Sequence, residues 1–333
     1  MVEQVFEIWI SEWASSFANP QKRIFWGYLL AATVIAFIWL RWIRKINPTD
    51  SIKLIFSREV WASESAKADY LVAMINSFLV ILISPRLLAK ATVAYFVYDA
   101  IEIWFGENHY HLIELPQWMI GLSFTLFLFV FDDFARYWVH RWLHTIPILW
   151  VFHKIHHSAT TLNPFTIFRT HPIEGILFSI RSAVVQGLTT AIFFYVFGNQ
   201  VNLVIVFGAS VFTFIFNALG SNLRHSPVSI RYWRSLEHVL MSPAQHHIHH
   251  SIAKEHRNKN YGVALSIWDW LFGTLCLTKR NESYTFGLSS RVDKKINSLK
   301  TIYIKPFIEV AIIFKKSNFL SKTFKINIIN NQR

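Results

Sequence analysis

The stretch Trp118-Met-Ile-Gly-Leu-Ser-Phe-Thr-Leu-Phe-Leu-Phe-Val-Phe-Asp132-Asp133-Phe-Ala-Arg136-Tyr137-Trp138-Val-His140-Arg-Trp-Leu-His144 runs from an apolar segment straight into two histidines four positions apart. About 20 mostly apolar residues in a helix suffice to cross the hydrocarbon core of a bilayer, so Trp118 to about Val139 reads as a membrane span. Residues three and four apart on a helix share a face, and His140 and His144 therefore converge at the end of that span. An apolar helix that delivers paired imidazoles to the membrane boundary predicts an all-α protein: a multi-span transmembrane helical bundle with a cytosolic helical cap carrying the histidines.

Other apolar stretches flank this one. Ile24 to Leu40 is bounded by Lys22 and Arg23 before it and by Arg41, Arg44 and Lys45 after it. With Glu3, Glu7 and Glu12 ahead of it and no small-residue cleavage site behind, it reads as a span and not as a signal peptide. Tyr70 to about Phe105 is apolar but interrupted by Pro85, Arg86 and Lys90, which fits either one broken span or a tight hairpin. Gly175 to Val196 and Val201 to Leu219, separated by Gly-Asn-Gln, read as a helical hairpin. The polar segment Arg41 to Ala68 carries six Lys or Arg and reads as a cytoplasmic loop with an interfacial helix. If the second region crosses once, every histidine cluster falls on the cytoplasmic face of an integral, multi-pass membrane protein.

Composition agrees with burial in lipid. The 333 residues are 53% hydrophobic and 17% aromatic, too apolar for an average soluble chain. The formal net charge is +13, but the basic residues flank spans and form no Arg-rich recognition element, which argues against nucleic acid as a partner. Residues 220–333 hold 18 of the 33 Lys and Arg, which places that end against anionic cytoplasmic lipid. The lone Cys276 excludes an intramolecular disulfide and a thiolate metal cage, so any metal must take nitrogen or oxygen ligands. No internal repeat is present. We read residues 1–114 as N-terminal transmembrane helices with their loop, 115–279 as the catalytic domain, and 280–333 as a basic tail, interfacial or disordered, including Lys294, Lys295, Lys315 and Lys316.

Ten of the fifteen histidines fall in three short windows: His140 and His144; His153, His156 and His157; and His238, His246, His247, His249 and His250. In His153-Lys-Ile-His156-His157 the first ring lies above the later two. The adjacent pair diverge by about 100° on a helix of about 3.6 residues per turn, so each can reach a different one of two neighbouring metals. His246-His247-Ile-His249-His250 repeats the spacing. Grouped histidines at ligand spacing are a metal signature, whereas the isolated His109, His111 and His256, and His238 on its own helix face, read as capped, solvated or core residues. Imidazole suits zinc, copper, iron and nickel alike, and the absence of His-Glu-x-x-His leaves a zinc protease unsupported.

The pattern Asp133-Phe-Ala-Arg-Tyr137-Trp138-Val-His140-Arg-Trp-Leu-His144, then Leu149-Trp150-Val-Phe-His153-Lys-Ile-His156-His157-Ser158, resembles the sterol desaturase / fatty acid hydroxylase superfamily. So do Arg169-Thr-His171-Pro172-Ile-Glu174, Ser242-Pro243-Ala-Gln-His246-His-Ile-His249-His250-Ser251, Asn260-Tyr261-Gly262 and Trp268-Asp269-Trp-Leu-Phe272-Gly273-Thr274, so that the resemblance covers about Leu115 to Leu277. It implies two irons, molecular oxygen and an external electron donor, a ferredoxin or a cytochrome b5-like protein. Carried over by position, it implies His140, His144, His153, His156, His157, His246, His249 and His250 as ligands. It also implies His225 as an extra histidine between the later boxes, and His171 as a ligand or an outer partner. Many members have histidine where Gly220 stands, which leaves the coordination number at one iron open. Asp133 and Asn222 are expected to orient imidazole N–H groups.

The implied reaction is oxidation of a C–H bond in a lipid-like substrate (sterol, fatty acyl, sphingoid or ether lipid), by hydroxylation or desaturation. Ser221-Asn222-Leu-Arg-His225-Ser226 is similar to a stretch of alkylglycerol monooxygenase relatives, which implies ether-lipid cleavage as another outcome. From a different class, a metal transporter would also bind metal. Transport favours ionisable residues lining a path through the spans, whereas these clusters lie mostly at span ends.

Overall fold

The computed structural model describes residues 2–83, 90–106, 115–201, 211–288 and 296–316. Among them no strand forms beyond two isolated bridges, Leu240 to Leu265 and Ser251 to Phe286. The helices, in order, are α1 (Val2–Ala18), α2 (Trp26–Ile38, continued by a π-turn over Trp39–Ile43), α3 (Pro48–Ile55), α4 (Arg58–Trp61), α5 (Glu64–Ile83) and α6 (Lys90–Phe105). They are followed by α7 (Gln117–Thr145), α8 (Pro147–His157), α9 (Pro172–Phe197), α10 (Val211–Ala218), α11 (Pro243–His250) and α12 (Ile267–Leu271).

Among the described residues three helical stretches are long and apolar enough to cross a membrane: Trp26–Ile43, α7 and α9. They coincide with three of the spans read from the sequence. The break in the Tyr70 to Phe105 region falls at residues 84–89, outside the described residues, and of Val201 to Leu219 only Val201 and residues 211–219 are described.

The first span shows why such a helix belongs in lipid. Trp26, Leu30, Val34, Ile38 and Trp42 form one exposed stripe at four-residue spacing, while Tyr28, Ala32, Ala36 and Leu40 form a buried one. Large side chains face lipid and small ones let the backbone approach its neighbours, the usual division in a membrane helix. The buried stripe packs with Ile55 of α3 and with Leu223, Val228 and Ile230. The helices α7 and α9 lie against each other through Ile120, Phe124, Phe193 and Phe197, with the Phe124 and Phe193 rings edge to face at 5.0 Å. At Gly187 of α9 a Cβ atom would come within 2.7 Å of Val93 Cβ, so α6 crosses α9 where only hydrogen fits. Asp132 of α7 pairs with Arg181 of α9 at 2.7 Å and with Arg136 of its own helix at 2.6 Å, so none of these charges stands unpaired beside lipid.

Beyond the spans, a helical cap is held by polar as well as apolar burial. Fully buried Arg169 joins α5 to the end of α8: it pairs with Asp69 at 3.1 Å and donates through Nε to Ile155 O at 3.1 Å and Ser158 Oγ at 3.0 Å. The segment after Lys279, expected as an interfacial or disordered tail, is docked on this cap around Ile302. Ile302 is fully buried beside Val72 and Ile155, Tyr303 Oη donates to Asn76 Oδ1 at 3.0 Å, and Lys154 pairs with Glu309. Ile302 and Pro306, four positions apart, are buried with Tyr303 half-buried beside them, and burying that face outweighs the lysines around it. Lys294 and Lys295 lie outside the described residues.

Candidate metal centre

Local sequence sets each histidine-bearing turn. Ile146 is extended (φ −94°, ψ 115°), as a residue before proline prefers, so α7 stops at Thr145 and Pro147 opens α8. His140 and His144 thus meet His153 and His157 across a tight corner. The third histidine helix, α11, starts on a capping box: Gln245 N donates to Ser242 Oγ at 3.2 Å, and Ser242 N donates to Gln245 Oε1 at 2.9 Å. Pro243 fills the first helical position, where the missing N–H costs nothing.

Among the described residues nine imidazoles gather in two groups. His140, His144, His153, His157 and His249 present ring nitrogens within 4.8 Å of one another, and so do His156, His225, His246 and His250. The adjacent rings His156 and His157 go to different groups, and so do His249 and His250, as side chains about 100° apart on a helix must.

The donor set fits cations. In the group of four, Nε2 of His225 is 3.3 Å from that of His156, 3.2 Å from that of His250 and 3.0 Å from that of His246, while His250 and His246 are 3.1 Å apart. A ring nitrogen carries at most one proton, so these contacts cannot all be hydrogen bonds. A cation about 2.0–2.1 Å from each nitrogen would hold its ligands about 3.0–3.4 Å apart, which is the spacing present. In the group of five, Nε2 of His144, His153, His157 and His249 is buried without a hydrogen-bond partner.

The outer nitrogens explain why lone pairs point inward. His140 Nδ1 donates to the Tyr261 carbonyl at 2.7 Å and His249 Nδ1 to the Lys259 carbonyl at 2.9 Å. A carbonyl accepts only, so Nδ1 bears the proton and Nε2 the free lone pair. His153 Nδ1 lies 3.0 Å from Glu174 Oε1, both side chains buried.

A model of the fatty acid hydroxylase family matches residues 125–274, which span all nine histidines. Residues 125–274 are thus similar to the fatty acid hydroxylase family. Among curated relatives, human alkylglycerol monooxygenase is 32% identical over 193 residues, covering 58% of this chain and 38% of its own. The ornithine lipid hydroxylase OlsE of Rhizobium tropici is 29% identical over 187 residues (56% and 51%). The very-long-chain aldehyde decarbonylase GL1-8 of Oryza sativa subsp. japonica is 28% identical over 166 residues (49% and 55%). The chain thus spans between about a third and just over half of these relatives' lengths. No solved structure matches it.

Within this matched segment some expected residues stand apart from the groups. His171 is the N-cap of α9: its Nδ1 accepts from Ile173 N at 3.1 Å, and its Nε2 faces Tyr303 O at 3.3 Å. Asp133 spends its carboxylate on Ala264 N, Leu265 N and Trp268 Nε1, and Asn222 exchanges hydrogen bonds with Arg23; neither orients an imidazole through these bonds. Asp133 acts on the loop that carries the Tyr261 carbonyl. Gly220 has φ +122°, and a Cβ there would meet Leu223 Cδ1 at 2.7 Å, so a histidine at this position would be strained. Among the remaining histidines, His247 packs on Tyr284 and Phe286, His256 lies 3.4 Å from Glu282, and His238 Nδ1 donates to Arg234 O. His109 and His111 lie outside the described residues. Glu174 is the site residue that the sequence reading misses, although it closes the His171-Pro172-Ile-Glu174 motif.

Burial keeps the cap imidazoles neutral. It pushes His153 down to about 3 and, with the His153 ring beside it, His156 to about 4. Desolvation first, then neighbouring imidazoles, holds His157, His225, His246, His249 and His250 well below the ordinary range. An unfolded chain takes up protons near pH 6.5, where these folded rings stay bare. Stability is therefore full above about pH 6.5 and declines as the pH falls from there toward the folded values, by up to about 1.4 kcal/mol per ring per pH unit. Thermal melting of the metal-stripped protein is expected to show a midpoint that drops steadily between about pH 7.5 and 5; a flat profile would contradict the burial of these rings.

Proposed function

We propose that the protein is a membrane-bound, non-haem di-iron oxygenase that hydroxylates a lipid-like substrate. In this reading one iron is held by His140, His144, His153, His157 and His249, and the other by His156, His225, His246 and His250. The observation that carries it is the division of His156 from His157 and of His249 from His250 between two groups of buried, inward-facing rings. Two metals in an all-nitrogen shell beside apolar spans suit redox chemistry better than hydrolysis. Residues 115–279 are then the catalytic domain, 1–114 its membrane helices and 280–333 a basic segment closing the cap, with the histidines facing the cytoplasm.

When bound, reduced iron supplies the oxygen-activating chemistry that side chains lack. The balanced conversion takes one C–H bond, one O2, two electrons and two protons to one C–OH and one water. The electrons come from an external ferredoxin or cytochrome b5-like donor. The chain's own groups prepare the site. The Tyr261 and Lys259 carbonyls fix the tautomers of His140 and His249. Burial excludes bulk water and keeps the rings unprotonated. The lipid-facing surfaces of α2, α7 and α9 let an apolar substrate approach from the bilayer.

Glu174 serves the same purpose from the second side of His153, since a carboxylate facing the outer nitrogen of a ligand orients the ring and raises its basicity. Glu174→Ala is expected to weaken metal binding about 10–100-fold, with Glu174→Gln intermediate because it keeps an acceptor but loses the charge. Competitive chelator titration reads this directly, and unchanged affinity in both variants would remove Glu174 from the site.

The likeness to alkylglycerol monooxygenases favours a second reading of the same chemistry. Hydroxylation at the carbon beside an ether oxygen gives a hemiacetal, which collapses to an aldehyde and an alcohol. Metal counting, combined with lipid profiling of cells carrying the protein or its His153→Ala variant, tests both readings. Two irons per chain and O2-dependent products absent from the variant support the oxygenase. Exchangeable zinc or copper that crosses vesicle membranes, with no oxidised lipid, would instead make this a transporter.

A further inference from the structure

At the end of the first span, away from the histidine groups, a cavity of about 190 Å³ opens between the π-turn Trp39–Ile43, the loop after Pro227 and residues 279–284. Its wall carries three cations, Arg44, Arg231 and Lys279, and a single carboxylate, Glu282. That carboxylate accepts from Tyr284 Oη at 3.0 Å and from the Lys279 amide at 3.4 Å, and His256 Nε2 lies 3.4 Å away. Among the described residues no acidic group pairs with Arg44, Arg231 or Lys279, and Arg44 only donates to the neutral Asn281 Oδ1 at 3.2 Å. The remaining wall includes Trp39, Leu40 and Leu54, continuous with the buried face of a membrane span.

We propose that this cavity binds the phosphate of an anionic phospholipid headgroup. Three like charges drawn together around one recess are stabilised by a multivalent anion, and a guanidinium fork matches phosphate oxygens. The volume is below the roughly 300–1,000 Å³ of sites that enclose a drug-sized ligand, so it admits a headgroup and leaves the acyl chains outside. The position decides the source. Basic recesses beside the cytoplasmic ends of spans are where lipid headgroups sit, and an apolar wall of Trp39 and Leu54 suits the glycerol end of a lipid better than a free ion. Ala244 of α11 also lines the recess, so an occupied headgroup site braces the helix that carries three of the nine grouped histidines.

The test uses the full chain in non-ionic detergent, with native mass spectrometry counting bound phosphatidylglycerol against phosphatidylcholine and thermal melting read in parallel. The wild type is expected to retain phosphatidylglycerol at least ~5-fold more than phosphatidylcholine and to melt higher with it. Arg44→Gln/Arg231→Gln/Lys279→Gln is expected to lose that preference while melting like the wild type without lipid; Arg231→Gln alone, a gentler change, is expected to lower it. Equal retention of the two lipids by the wild type, or an unaltered preference in both variants, overturns the proposal. So does equal protection by inorganic phosphate, which would make the site one for a free anion. A variant that keeps the lipid but loses affinity for an acidic donor protein would reassign the recess to protein docking and overturn it as well.

Discussion

Replacing His225 by alanine is expected to lower bound metal from about two ions per chain to about one and to cut product formation by at least ~100-fold, the upper end of what loss of even an outer partner costs a metal site. His225 is central to its group: its Nε2 lies within 3.3 Å of the Nε2 atoms of His156, His246 and His250. That group holds four rings and the other five, so the smaller one has no ring to spare. The position where the family resemblance would place another histidine is Gly220, whose backbone at φ +122° would strain any side chain. Loss of one ring from the larger group, as in His140→Ala, still leaves four and is expected to cost less metal. Counting metal by mass spectrometry on both variants, with melting as a control for folding, checks the asymmetry. Two ions retained by His225→Ala would mean that this histidine is not a ligand.

Much of the architecture is legible without coordinates because the signals are local. Apolar windows of the right length locate three spans, and 3.6-residue geometry alone separates His156 from His157. What stays hidden depends on long-range packing. His171 before Pro172 reads as a ligand or an outer partner, and its place as the cap of α9 emerges only from Ile173 N and the Tyr303 carbonyl. Asp133 is well placed in sequence to serve His140, but its partners are the amides of Ala264 and Leu265, 131 and 132 positions away. Glu174 is three residues from His171, yet its meeting with His153 needs α8 to lie on α9. The docked segment around Ile302 is masked in the sequence by its lysines, since net charge outweighs a short apolar face in any composition window.

The same dependence on distant partners makes Arg169 the residue whose loss is expected to damage folding most. Arg169→Met would strip the cation from Asp69, whose side chain is as completely buried as that of Arg169. Thr166 Oγ1 and Asn163 Nδ2 would still donate to the carboxylate at 2.7 and 3.1 Å, but neutral donors do not cancel a charge. Breaking a buried pair on one side costs about 3–5 kcal/mol, on the order of 10 °C in melting temperature for a chain of this size. The change also removes the bonds to Ile155 O and Ser158 Oγ that end α8, and the 2.8 Å bond from Nη2 to Asn297 Oδ1 that ties the C-terminal segment to the cap. Those two contributions separate in a second variant. If the stranded charge dominates, Asp69→Asn combined with Arg169→Met melts well above Arg169→Met alone, because a neutral amide keeps the donors satisfied. If the double variant melts no higher, the arginine acts by fastening α8 and its three histidines, and metal affinity then falls in parallel with stability in both variants.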